Sequence, residues 1–184
     1  RYRLKEIIGQ SRSPEAKIVQ DTRNRQARDL ITFLKQTYIH ASGIARLDSI
    51  LQDGLLVRHL AEEPFMIYLS VYYPLAEDTV RDILNKTVSG HTPIFSDKIY
   101  YCFEQIEVDV PGFLWPYTRI ILGGIPSIDI SAIILENPET TFQIAKQAVI
   151  NHGAYIPIYD LEGHFILTVE EYETERKLLI TSKQ

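Results

Sequence analysis

The segment between residues 37 and 73 constrains the fold more than any other part of the chain. It reads as a strand, an amphipathic helix closed by glycine, and a second strand. Residues 37–40 (Thr37, Tyr38, Ile39, His40) carry the β-branched and aromatic content of a short strand, ending on the polar positions His40 and Ser42. Ile44, Leu47, Ile50, Leu51 and Leu55 then recur at helical spacing and form one apolar stripe. Gly54 follows Gln52 and Asp53 as a residue suited to the left-handed region, closing the helix and turning Leu55, Leu56 and Val57 back toward the core. Residues 61–64 form a loop. Residues 65–73 are an almost unbroken apolar and aromatic run, the pattern of a central strand, which Pro74 ends.

The flanking segments supply the other layers. Residues 1–13 read as irregular or as one short helix. Ser13 is placed to cap a helix with Pro14 at its first position, and apolar spacing carries one or two helices to about Gln36. A helix is expected over residues 75–86, with Leu75, Val80, Ile83 and Leu84 inward, followed by a turn-rich linker at 88–93. Strand patterns follow at 98–103, 106–110, 118–122 and 131–135, punctuated by Pro111, Gly112, Gly123, Gly124 and Pro126. Asn137 and Pro138 lead into a helix over 141–151. A hairpin is expected from 155–159 and 164–167 around Asp160 and Gly163. Thr168 with Glu171 forms a capping box for a last helix to about Ile180. This order predicts a single α+β domain: residues 1–36 are a helical cover on a core of residues 37–184, whose split sheet is mostly antiparallel and which ends in a hairpin and helix.

At 184 residues, with 45% apolar and 23% charged residues, the chain has the composition of one folded domain. The net charge of -5 argues against binding nucleic acid through bulk electrostatics. The most basic stretch, residues 1–28, interleaves Glu6, Glu15 and Asp21 and reads as a solvated face. A single cysteine, Cys102, excludes an intrachain disulfide and sits in an apolar run as a buried, inert thiol. The five histidines lack metal-ligand spacing, so no metal site is expected. Gly123-Gly124 lacks the other glycines of a dinucleotide fingerprint, and no serine stands in a nucleophile elbow. No apolar run is long enough to span a membrane, and a cytosolic setting is expected, either the chain's own or that of a host into which it is secreted. Phe113, Trp115 and Tyr117 suit either a partner-binding loop or a loop folded on its own core.

The chemistry-bearing candidates are on the two N-terminal strands. Residues i and i+2 of a strand share a face, so His40 and Ser42 can enter one cleft, although the same placement suits a helix-capping histidine or one satisfied in a polar pocket. The whole run 38–55 (aromatic, His40, small, Ser42, then a helix ending Ile50-Leu51-Gln52-Asp53-Gly54-Leu55) resembles the ADP-ribosyltransferase and RNA 2′-phosphotransferase superfamily, of the His-Tyr-Glu type. Ile67-Tyr68-Leu69-Ser70 resembles that family's next strand, and Ala76 stands in the segment after it. The resemblance covers residues 38–80 and implies the family's fold and NAD as substrate. His40 and Ser42 would hold the ribose and carboxamide, Tyr68 would pack the nicotinamide and Ser70 would support the site. It also implies a glutamate that stabilises the oxocarbenium-like transition state. Glu104 is the candidate carried forward, beside Glu136 and the cluster Glu171, Glu173 and Glu175.

The resemblance implies mono-ADP-ribosyl transfer to a macromolecular acceptor, of the kind found in toxins and secreted effectors, with a protein the favoured acceptor. The absence of a self-evident glutamate keeps open a non-catalytic interaction domain. A 2′-phosphorylated RNA substrate would instead call for basic residues at the cleft, where Arg46 and Arg58 are the nearby candidates.

Overall fold

The polar end of the first strand is not its end. β1 runs Tyr38–Gly43, so His40, Ala41 and Ser42 lie within the strand, and Ser42 and Gly43 are buried in pairing with the residues opposite. The computed structural model describes residues 4–24, 29–56, 66–71, 79–87, 97–104, 110–111, 118–122 and 124–184. Among these, seven strands form one sheet. In spatial order they are β5 (Val110–Pro111), β6 (Thr118–Leu122), β3 (Met66–Val71), β1, β4 (Lys98–Phe103), β8 (Ile130–Leu135) and β9 (Ile158–Tyr159). Every neighbouring pair is antiparallel except β8 with β9, which is parallel. Of the described strands, β2 (Leu55–Leu56) and β7 (Gly124–Ile125) stand apart, as a two-stranded ribbon. The strands of the expected split sheet are therefore mostly continuous, with β1 at the centre.

Helices cover both faces. On one face Ile39, Tyr100, Cys102, Ala132 and Ile134 pack against α3 (Leu30–Leu34) and α5 (Val80–Thr87). On the other, Ile99, Tyr101, Phe103, Ile133 and Leu135 pack against α4 (Leu47–Asp53), α6 (Pro138–His152) and α7 (Val169–Ser182). Alternate residues of β4 and β8 thus serve two cores, which is why their sequences are continuous apolar runs rather than alternating ones. The result is an α+β layering of helices, sheet and helices. Truncating a side chain such as Leu51 or Ile133, each at most 1% exposed, removes contacts worth about 2–5 kcal/mol.

The N-terminal segment divides between the layers. α1 (Leu4–Arg12) forms where an irregular stretch or short helix was expected, because Ile7 is fully buried. The Ser13 carbonyl accepts the Lys17 N–H (3.0 Å) at the start of α2 (Pro14–Asn24). α1 and α2 pack on α4 and on a 3-10 turn, Ser127–Asp129, while α3 lies on the opposite face.

At the other end, α6 begins at Pro138, three residues earlier than the apolar pattern suggests, with proline at its first turn. The expected terminal hairpin is reduced to one bridge, Tyr159 with Phe165, while the other edge of β9 pairs with β8. Thr168 caps α7 as its sequence predicts, its hydroxyl accepting the Glu171 N–H (3.1 Å). Residues 75–78, the linker at 88–93, residues 106–109 and the aromatic loop at 113–117 lie outside the described residues.

Candidate functional site

The candidate site is decided by register. In an antiparallel pair, residues directly opposite share a face. His40 lies opposite Tyr101 and Ser42 opposite Ile99, so both belong to the face covered by α4, α6 and α7. Ser42 is buried there, whereas His40 is half-buried. On the other side of β1, Ile39 pairs with Ser70. Ser70, and Tyr68 two residues before it, therefore take register positions of the opposite face, which Ile39 shares with α3 and α5. The structure brings His40 together with Ser42, and it does not bring either to the face of Tyr68 and Ser70. One cleft lined by His40 and Tyr68 together is not formed by this pairing.

The carboxylates lie at the margins. Glu104 follows β4 in a bend, half-buried, and its N–H donates to the Ser131 hydroxyl (3.4 Å). It is three positions beyond Tyr101, the partner of His40, a distance of about 10 Å along the strand. Glu136, just past β8, is exposed. Its carboxylate accepts the Tyr100 hydroxyl (3.4 Å), a contact on the α3 and α5 face. Burial pushes ionisation of the Tyr100 phenol up, and the Glu136 charge pushes it further the same way.

Glu171 and Glu175 on α7 instead clamp Lys146 of α6 at 3.1 and 2.8 Å. The hydrogen bonds that Lys146 donates, first to Glu175 and then to Glu171, hold that lysine in its charged form above the usual lysine range. This pair of acids joins α6 to α7. Arg46 is exposed, and Arg58 lies outside the described residues.

Tyr101 is the residue that the sequence did not single out. It is fully buried beside His40 in the register, its hydroxyl has no hydrogen-bond partner among the described residues, and burial pushes its ionisation far up. A neutral phenol is thus held under the His40 and Ser42 face. No local pattern marks it, because its significance comes only from cross-strand pairing. Cys102, on the other face, is fully buried, and burial together with the Glu104 charge raises its thiol ionisation, which leaves it unreactive. Among the described residues no three His, Cys, Asp or Glu side chains converge as a metal site, and no helix is long and apolar enough to cross a membrane.

No protein-family model matches this sequence, and neither a curated protein nor a solved structure is significantly similar to it.

Proposed function

We propose that the chain binds NAD at the His40 and Ser42 face of β1 and transfers its ADP-ribose to a macromolecular acceptor. The observation that supports this reading is the pairing of a half-buried imidazole with a buried hydroxyl on one face of the central strand. That strand leads through a 3-10 turn, Ile44–Arg46, into α4, which stops at Gly54. It is the strand, helix and glycine order on which the resemblance to ADP-ribosyltransferases of the His-Tyr-Glu type rests.

In this reading His40 and Ser42 hydrogen-bond a ribose hydroxyl and the carboxamide. Positive charge develops at the ribose carbon as nicotinamide leaves, and a carboxylate stabilises it, with Glu104, just past the end of β4, the candidate. The work is positioning and electrostatics. Tyr68 and Ser70, at register positions of the other face, take no part in gripping the same ligand, which departs from the family pattern.

A second reading, a non-catalytic domain that binds a host or partner protein, is favoured by that same separation of Tyr68 from His40. Calorimetry with NAD separates the two. Binding that His40→Ala abolishes and Tyr68→Ala preserves supports the transferase. Absence of heat at millimolar NAD, with all three proteins folded, rejects it and leaves the interaction domain.

A further inference from the structure

Away from this face, a buried polar junction joins the N-terminal helices to the core. Lys17 of α2 is half-buried there, and its Nζ donates to the carbonyl oxygen of Leu51 in α4 (2.9 Å) and to the hydroxyl of Ser127 (2.8 Å). The same turn is held by Gln20, whose Nε2 donates to the carbonyls of Ser127 (2.6 Å) and Ile130 (3.1 Å), and by Ser11, whose hydroxyl accepts the Ser127 N–H (2.9 Å). Gln20, Ser11 and Ser127 are fully buried. Both acceptors of Lys17 are neutral. Among the described side chains, the charged groups on the packed elements are Lys5, Glu6 and Arg12 of α1, Glu15 and Asp21 of α2, Asp48 and Asp53 of α4, and Asp129. Arg12 pairs with Asp53, Asp48 Oδ1 lies 2.8 Å from His152 Nε2, and the Asp21 carboxylate accepts the Tyr155 N–H (3.3 Å).

Two acceptors match the two N–H bonds of an uncharged amine and leave its lone pair unused. An ammonium would carry a third proton into the same place. We propose that Lys17 is a site of N-acylation by small activated acyl donors, the acyl phosphates and acyl thioesters. The Nζ lone pair attacks the acyl carbonyl and a C–N bond forms. The C–O bond to phosphate or the C–S bond to the thiol breaks, phosphate or thiolate departs with the bonding pair, and the amine proton passes to water. The product is neutral, which suits the site. It retains one N–H for two acceptors, so acylation loosens the hold of α2 on α4 and the Ser127 turn.

Reactivity follows from the same burial, which lowers the amine to about 8. At pH ~7.5 about a quarter of Lys17 is uncharged, against about one in a thousand for an ordinary lysine. Lower basicity reduces the intrinsic nucleophilicity of each uncharged amine and takes back part of that advantage.

The test is peptide mapping by mass spectrometry of the full chain after timed exposure to acetyl phosphate in one arm and acetyl-coenzyme A in the other. Lys17 is expected to acylate about tenfold faster than the exposed Lys35, Lys177 and Lys183 near neutral pH, with its advantage shrinking above pH ~9 as ordinary amines deprotonate. Lys17→Arg, which keeps the donors, is expected to lose the fast phase and keep the slow one. Reaction in only one arm assigns the donor, and reaction in both assigns the shared acyl chemistry. Acylation of Lys17 no faster than of the exposed lysines in both arms, or only in urea-unfolded chain, overturns the proposal.

Discussion

Replacing Gly54 by alanine tests whether the turn from α4 into β2 is built as described. Gly54 has φ +94° and ψ 172°, a region that only glycine occupies without strain, and its N–H donates to the Ile50 carbonyl (2.8 Å). A Cβ there would stand 2.7 Å from the Ile125 carbonyl oxygen, 2.8 Å from Ile7 Cγ2 and 3.0 Å from the Ser11 hydroxyl. The first of these atoms is backbone of β7 and cannot swing away. Backbone strain of about 1–3 kcal/mol and a similar overpacking cost give a loss of about 3–4 kcal/mol. Gly153 is the internal control. It ends α6 at φ +69° and ψ 23°, and the atoms that an added Cβ meets belong to the flexible Arg176 side chain. Gly153→Ala is therefore expected to lose about 1–2 kcal/mol. Alanine stiffens the unfolded chain equally in both variants, so that contribution cancels in the comparison. A gap of about 2 kcal/mol is about 1 M in urea midpoint at a typical slope of about 2 kcal/mol/M. Equal midpoints for the two variants, at unchanged slope, would refute the reasoning.

Three further outcomes follow from buried polar groups and caps. Tyr101→Phe removes a hydroxyl that has no partner among the described residues, so urea unfolding should show no loss of stability and a gain of up to about 1 kcal/mol; a loss of more than about 1 kcal/mol would mean the hydroxyl is bonded. The Lys17 amine titrates lower in the folded chain than in the unfolded one, so between pH ~8 and ~10.5 the unfolded state binds more protons and stability rises with pH. Lys17→Met should flatten that rise in urea titrations at paired pH values. Above pH ~10 the sign reverses, because buried Tyr100, Tyr101 and Tyr155 all keep their protons to higher pH in the folded state than in the unfolded one. Thr79 and Asp82 hydrogen-bond each other reciprocally at the start of α5, so Thr79→Ala should lower stability by about 1 kcal/mol, read as a drop in melting temperature that Thr79→Ser spares.

How much of this was legible varies with the kind of signal. The capping box at Thr168 and the strands at 98–103 and 118–122 stood in the sequence at their observed bounds, because cap chemistry and Pro/Gly punctuation are local. The cap at Thr79 was equally local, a Thr followed three residues later by Asp, and a helical stripe counted from Leu75 through Val80, Ile83 and Leu84 masked it. For residues 1–13 the sequence left an irregular stretch and a short helix both open, because the burial of Ile7 that goes with α1 comes from contacts with Gly54 and Gly124, far along the chain. Leu55 fits the helical stripe of α4, yet Gly54 ends the helix and turns Leu55 into a strand partner of Ile125. The roles of Glu171 and Glu175 depended on where Lys146 packs, which spacing within one helix does not reveal.

The candidate site shows the same boundary most sharply. β1 is amphipathic, with Ile39 against His40 and Ser42, so burial of Ile39 at 1% exposure decides which face the polar pair takes. β3 offers no such choice. Ile67, Leu69 and Val71 on one parity and Met66, Tyr68 and Ser70 on the other are both apolar enough to be covered by helices. Hydrophobicity therefore leaves the face of Tyr68 undetermined, and the pairing of Ile39 with Ser70 decides it. A slip of one residue between β1 and β3 would carry Tyr68 and Ser70 to the face of His40, while the six pairs of β1 with β4 stayed in place. The NAD titration of Tyr68→Ala thus reads the register as well as the function. A ligand gripped by His40 and indifferent to Tyr68 requires the pairing described, and one that needs both residues requires the slipped one.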